Sequence, residues 1–331
     1  MINADRLDGA VERLLAGDRV ALAQAMTLVE STFPAHQGLA SDLLDRIMPH
    51  TGRAKRVGIT GVPGAGKSTF LEALGGYLLT CDMKVAVIAI DPSSPLSGGS
   101  ILGDKTRMLM LSRAQNAFIR PVPTGGYLGG TSRRTRELML LCEAAGYDVV
   151  IVETVGVGQS EVDIAHLVDC FLSLQLAGAG DELQGIKKGI MEMADIIVIN
   201  KDDGDNHPQV MMTRQMYQAA LHIMRRKYPA WSPPVLTCSA LQQQGIDDIW
   251  RCIEDFYRQM ALDNQLDALR KRQYLESMHK QIEENTLQAL FARGDIQDRY
   301  QQALQQVENH CLSPRAAVNS VVNYICEKIS D

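Results

Sequence analysis

Residues 55–80, KRVGITGVPGAGKSTFLEALGGYLLT, restrict the possible folds of this 331-residue chain more than any other stretch. Val57, Gly58, Ile59 and Thr60 form a short β-prone run. Gly61-Val62-Pro63-Gly64-Ala65-Gly66-Lys67-Ser68 then satisfies G-x-x-x-x-G-K-[ST], with Thr69 behind it, and the apolar spacing turns helical at Phe70, Leu71, Leu74 and Leu78. A strand, a glycine loop and a helix in that order are what a phosphate-binding P-loop needs. The glycines let successive backbone N–H groups converge on phosphate oxygens, and the helix N-terminus adds partial positive charge. Lys67 is expected to reach the β- and γ-phosphates as a catalytic cation, and the Ser68 hydroxyl to ligate Mg²⁺. The implied class is α/β, a P-loop core with a mostly parallel sheet flanked by helices.

Further strand-like runs follow, and polar residues stand at their carboxyl ends. Lys84–Asp91 (KVAVIAID) is nearly continuous in apolar residues, as in a strand buried on both faces. Asp91 opens a Gly/Ser-rich loop containing Asp104, and such a loop is where an open α/β sheet places its ligand. Both aspartates are candidates for Mg²⁺, directly or through water; a turn starter and a helix N-cap are their structural alternatives. Ala117–Val122 is another short strand, and a helix over 133–146 begins with Arg133, Arg134 and Arg136, expected as solvated charges. Tyr147–Gly156 (YDVVIVETVG) ends in Glu153-Thr154-Val155-Gly156. A carboxylate closing an apolar run is costly to bury without a partner, so Glu153 reads as a catalytic-site acid near Mg²⁺. Val168–Leu176 leads into residues 177–188, rich in glycine and charge. There Asp181, Glu182, Lys187 and Lys188 either re-pair between two conformations, as in a switch, or line a solvated loop.

Ala194–Asp203 (ADIIVINKDD) is a strand ending in N-K-x-D. Asp203 can accept hydrogen bonds from N1–H and the 2-amino group of guanine, donors that adenine does not present, so ATP would leave the carboxylate unpaired. The Lys201 stem can lie along the purine, and Asn200 can tie this loop to the P-loop. After the strand Val235–Cys238, Ser239-Ala240-Leu241 offers backbone N–H groups to guanine O6. The P-loop, the Asp91 loop, Glu153-x-x-Gly156, N-K-x-D and Ser239-Ala240 each follow a strand, in the order of a G domain. GTP and GDP are the expected nucleotides, and GTP hydrolysis the expected reaction.

Three regions are expected: a helical N-terminal extension over 1–52, the G domain over 53–260, and a helical C-terminal dimerisation region over 261–331. In the last region Leu266, Leu269, Leu275, Met278, Ile282 and Leu290 form an apolar stripe too irregular for a sustained heptad, with self-association as its first reading. A net charge of −6 argues against a nucleic-acid or anionic-membrane surface, and no apolar run reaches the length of a membrane span. The seven scattered cysteines, without CxxC pairing, read as reduced thiols of a cytoplasmic protein. The first residues, MINADRLDGA, carry charges where a secretory leader needs an apolar region.

Taken together, GVPGAGKST (61–69), AIDPSSPLSGGSILGDKTRM (89–108), VETVGVGQSE (152–161), LAGAGDELQGIKKGI (176–190), NKDD (200–203) and CSAL (238–241) closely resemble the MeaB/ArgK family, and the likeness runs along the whole chain. Members of that family are G proteins that chaperone the adenosylcobalamin enzyme methylmalonyl-CoA mutase. The resemblance implies that Ser68, Asp91, Asp104 and Glu153 organise Mg²⁺, that 177–188 is an additional switch signalling to the mutase, and that the protein is a homodimer through its C-terminal helices. The sequence departs from Ras-like G proteins in having no Gln directly after Gly156; Gln159 lies three residues on. The water-positioning group is thus unassigned, and slow intrinsic hydrolysis accelerated by a partner is expected. A nickel-inserting GTPase is the alternative, but that class usually carries a His-rich tract or a Cys/His site. Here His36 and His50 alone precede the P-loop, and His166 and Cys170, at helix-neighbour spacing, read as core. A P-loop kinase of a transport system is disfavoured, because N-K-x-D specifies guanine and no acceptor lid is evident.

Overall fold

The computed structural model of the chain describes residues 2, 7–91, 108–123, 128–154, 160–178, 188–262 and 264–330. They divide into two compact units, Met1–Arg270 and Lys271–Asp331.

The first unit is built on one sheet. Its strands are β1 (Lys55–Gly61), β2 (Val85–Asp91), β3 (Ala117–Pro123), β4 (Val149–Glu153), β5 (Cys170–Leu176), β6 (Ile196–Asn200) and β7 (Val235–Thr237), in the order β3-β2-β4-β1-β5-β6-β7. Every pairing among these strands is parallel. Their apolar runs require this, since a parallel sheet is covered on both faces and offers no solvent side for polar alternation. β3 carries Pro121 and Pro123 and takes an edge, where a missing N–H costs the ladder least. From β1 the chain builds β2 and β3 on one side, returns to β4, then crosses to build β5, β6 and β7 on the other. β1 is therefore the switch point, the place where open α/β sheets bind ligands beyond the carboxyl ends of their strands.

Helices α1 (Leu7–Leu15), α2 (Arg19–Glu30), α3 (Pro34–Ile47), α4 (Lys67–Thr80), α5 (Leu109–Arg113), α6 (Leu128–Ala144), α7 (Ser160–Ala165), α8 (Lys188–Met193), α9 (His207–Ile223) and α10 (Ile246–Leu262) belong to this unit. Asp18 caps α2 by accepting from the amides of Val20 (2.7 Å) and Ala21 (3.2 Å). α2 and α3 pack on α6, and Glu30 of α2 accepts from Arg120 Nε of β3 at 3.2 Å. Phe70, Leu71 and Leu74 of α4 join Ile249, Ile253 and Phe256 of α10 in the main core, each removed from water and worth about 1.5–3 kcal/mol. α9 stops at Ile223, five residues before Tyr228. Pro229 disfavours helical backbone at the residue before it, and Lys227 turns instead to Asp195, 3.0 Å away.

The amino edge of the sheet holds buried charge that the apolar patterning did not announce. Arg56 of β1 pairs with Glu143 of α6, both fully buried. Asp169, just before β5, accepts from the Arg56 amide (3.0 Å), the Tyr257 hydroxyl (3.0 Å) and Arg270 Nε (2.8 Å). Arg270 lies in α11 (Gln265–Phe291) and also donates to the carbonyls of Gly52 and Ala54. The second unit comprises the rest of α11, α12 (Gly294–Glu308) and α13 (Pro314–Ser330). α12 and α13 meet through Ala303, Ala317 and Val321, and Ser313 caps α13 by accepting from the Ala316 amide at 3.3 Å.

Candidate nucleotide site

β1 ends at Gly61, paired with Leu174 of β5. A Cβ at Gly61 would lie 2.3 Å from Leu174 O, so the close strand approach admits glycine alone. The loop then turns at Gly64 (φ 83°) and Gly66 (φ 81°), backbone that side chains resist. The Ala65 amide donates to Val62 O at 3.1 Å, and the Phe70 amide to Gly66 O at 2.9 Å, starting α4. The first amides of α4, on Lys67, Ser68 and Thr69, belong to the turn that a helix leaves without internal partners. Lys67 Nζ donates to Gly61 O (2.7 Å) and Val62 O (3.4 Å). Burial pushes the Lys67 pKa down, while the charges of Glu153 and Glu161 act to raise it.

Glu153 closes β4, registered between Ile59 of β1 and Ala89 of β2. Glu161 of α7 is 2% exposed and accepts from Thr60 Oγ1 at 3.1 Å. Sequence reasoning gave it no role; its signal is a second acid eight residues beyond Glu153. Ser68 and Glu153 supply oxygen donors, which suit a hard cation such as Mg²⁺. Among the described residues no three His, Cys, Asp or Glu side chains converge as a metal cage. Mg²⁺ commonly takes one or two protein ligands and completes its shell from phosphates and water. Asp91 pairs through its backbone with Pro123 at the end of β2. Its side chain, all of Asp104, Gly156 and Gln159, residues 181–187 and the Lys188 side chain lie outside the described residues.

The base loops meet the P-loop at one side chain. Asn200 ends β6 and is 2% exposed. Its Nδ2 donates to Ala65 O at 2.8 Å, while its Oδ1 accepts from the Ala240 amide (3.0 Å) and Cys238 Sγ (3.4 Å). A Cβ on Gly66 would come within 2.9 Å of Asn200 Nδ2, so the two loops are in contact. Lys201 is exposed and left-handed (φ 67°), a backbone state that concentrates at ligand sites. Ser239 Oγ donates to Asp203 Oδ2 at 2.5 Å and accepts from the Gln242 amide at 3.2 Å, which orients the carboxylate. The amides of Ser239, Ala240 and Leu241 do not stand alike. Ser239 N–H donates to Gln244 O at 3.1 Å in a two-residue bridge, and Ala240 N–H is held by Asn200. Leu241 is 78% exposed.

Two expectations are corrected. Of His166 and Cys170, both read as core, Cys170 opens β5 and is buried, but His166 follows α7 and is exposed; burial holds the Cys170 thiol well above its usual pKa. The arginines of α6 are not all solvated: the helix begins at Leu128, which moves them past the first turn, and Arg136 is buried.

A wholly parallel sheet with a P-loop at its switch point, an acid closing the adjacent strand and an N-K-x-D loop bonded to the P-loop define a P-loop guanine-nucleotide-binding protein. Residues 22–295 match the model of the family described as methylmalonyl Co-A mutase-associated GTPase MeaB, and the chain belongs to that family. It is 60% identical over 325 residues to GTPase ArgK of Escherichia coli, covering 98% of each chain. It is 44% identical to the mitochondrial methylmalonic aciduria type A homolog of Mus musculus, over 92% of this chain and 76% of that one. A crystal structure of a LAO/AO transport system kinase superposes with a TM-score of 0.79 at 54% identity, covering 98% of this chain and 99% of that one. The chain is a GTPase and binds guanine nucleotide.

Proposed function

We propose that the chain is a Mg²⁺-dependent GTP switch that chaperones an adenosylcobalamin-dependent methylmalonyl-CoA mutase, gating cofactor loading and protecting or reactivating that enzyme. The observation that carries the switch is Asn200: one buried side chain bonds the phosphate loop at Ala65 and the base loop at Ala240, so both ends of a nucleotide act on one hydrogen-bonded unit. In this reading Gly61–Thr69 take the phosphates, and Asn200, Lys201, Asp203 and Ser239–Leu241 take guanine. Ser68, Asp91, Asp104 and Glu153 hold Mg²⁺, with Lys67, Asp91 and Glu153 serving catalysis. Asp181, Glu182, Lys187 and Lys188 relay the nucleotide state. The mutase as partner is supported by the family's description and by the name of the mouse relative. A homodimer is supported by Leu275, Met278 and Ile282 of α11, which recur on one helical face and are 56%, 48% and 54% exposed. Among the described residues no helix is long and apolar enough to cross a membrane, and a cytoplasmic site of action fits the reduced cysteines.

The test measures GTP turnover with and without purified mutase, together with nucleotide-dependent co-elution of the two proteins. Stimulated turnover and a complex that differs between GDP and a non-hydrolysable GTP analogue are expected. Unchanged turnover with no complex in either state overturns the partnership.

A further inference from the structure

We propose that Asn206 is a positioning residue for guanine, its side-chain amide holding Lys201 in the left-handed turn that aims Asp203 at the base. The proposal rests on the reading of N-K-x-D as the guanine site and adds a residue that lies beyond the motif.

After Asp203 the chain makes one short turn, Gly204–Asn206, and enters α9 at His207. Asn206 is the residue before that helix, where an asparagine oxygen ordinarily accepts from the first unpaired amides. It makes no such bond here. Its Nδ2 turns back and donates to Lys201 O at 2.7 Å, while its own amide donates to Asp203 O at 3.2 Å. Asp203 likewise precedes a helical turn without capping it, and its carboxylate accepts from the Ser239 hydroxyl instead. Both residues are suited to capping, and both commit their side chains to the base loop.

These bonds bracket a strained residue. Lys201 is exposed and is not glycine, yet it stands at φ 67°, a state that persists only where the surroundings impose it. The turn redirects the chain as it leaves β6, and so decides where the next two residues point. From the β7 side, Cys238 O accepts from the Asp202 amide at 3.0 Å, and Ser239 holds Asp203. From the α9 side, Asn206 holds the Lys201 carbonyl, and His207 Nδ1 lies 2.6 Å from Asp202 Oδ1. Of these contacts, the one from Asn206 acts on the left-handed residue itself. Without it Lys201 relaxes toward ordinary backbone, and Asp203 loses its fixed approach to the two guanine donors. The P-loop keeps its own bond to Asn200, so the phosphates are held as before.

Asn206→Ala and Asn206→Leu both remove the donor, the second at similar volume. Each is expected to bind GDP about three- to tenfold more weakly. Each should also lose about threefold or more of the preference for GDP over IDP, whose base keeps N1–H and lacks the 2-amino group. At saturating GTP, kcat stays within about twofold, because binding common to ground and transition states appears in KM. Asp203→Ala is measured beside them, and melting temperatures report on the fold. If Asp203→Ala leaves GDP affinity and the GDP preference at wild-type levels, the guanine reading of N-K-x-D fails and the proposal with it. If Asp203→Ala lowers both while the Asn206 variants match the wild type, the reading stands and the proposal is overturned. An equal loss of GDP and IDP affinity with a lower melting temperature also overturns it, because Asn206 is then only a support for the start of α9.

Discussion

Asn200→Ala tests the joint between the two loops. The substitution removes the donor to Ala65 O and the acceptor of the Ala240 amide, at backbone groups whose residues are 0% and 4% exposed. A buried group deprived of its partner costs about 1–3 kcal/mol, so the pair together should cost roughly 2–5 kcal/mol of stability. For a unit of this size that corresponds to a melting temperature lower by roughly 5–15 °C. GDP affinity should fall at least tenfold, about 1.4 kcal/mol, because the P-loop and the Asp203 loop no longer hold each other in register. Asn200→Asp separates the two bonds: it keeps an acceptor for Ala240 but sets a carboxylate oxygen against Ala65 O. It should therefore also weaken GDP binding. Urea unfolding and fluorescent-GDP titration give both quantities. If Asn200→Ala melts within 1–2 °C of wild type, about 0.5 kcal/mol, and binds GDP as tightly, the two loops are held by something else and the switch reading loses its support.

Asp203→Asn should shift preference from guanine to xanthine nucleotides, because the amide can donate to the O2 that replaces the 2-amino group; competition of GTP and XTP for the site measures it, and unchanged GTP preference refutes the role of Asp203. Lys67→Ala should lower GTP turnover by orders of magnitude, as for loss of an electrostatic clamp, and undiminished phosphate release would remove Lys67 from catalysis. Glu137 of α6 is pushed by burial up to about 6, with Arg133 and Arg134 pulling the other way. Because the folded pKa is raised, its contribution is fully present below the unfolded value of about 4.5 and is lost as pH rises through about 6. Glu137→Gln should accordingly stabilise the protein by about 1–2 kcal/mol above pH 7 and leave it unchanged below pH 4.5; an equal effect at both pH values in urea unfolding refutes the burial argument.

Most of the frame was legible because burial on two faces writes itself as apolar runs. Lys84–Asp91 and Val168–Leu176 became β2 and β5 to within two residues, and β6 (Ile196–Asn200) lies inside the expected Ala194–Asp203 stretch, ending where N-K-x-D begins. The loop motifs were legible because their backbone geometry needs particular residues: Gly64 and Gly66 stand at positive φ, and Gly61 has no room for a side chain. Side chains that act over long sequence separations were not legible. Nothing in the local pattern around Arg56, Glu143, Asp169 and Arg270 says that they will be buried against one another. Glu161 was hidden for the same reason, since its meaning depends on Thr60, a hundred and one residues away. The helical region expected over 261–331 gave α12 no bounds of its own, because its Gln-rich surface leaves few apolar positions, Ile296 and Ala303 being its buried ones.

The two edges of the sheet hold their polar groups on different terms, and this bears on which part of the protein can respond to nucleotide. At the carboxyl edge, Lys67 rests on Gly61 O and Val62 O, and Asp203 rests on the Ser239 hydroxyl. Each is a contact that a phosphate or a guanine can replace, so exchange leaves no charge stranded. At the amino edge, Asp169 and Arg270 share two hydrogen bonds inside the protein, and Arg56 and Glu143 are paired where neither reaches water. Taking one partner from such a pair costs about 3–5 kcal/mol. The carboxyl edge can therefore change state at small cost, while the amino edge stays fixed and holds the first turns of α11 to β5 and to the residues leading into β1.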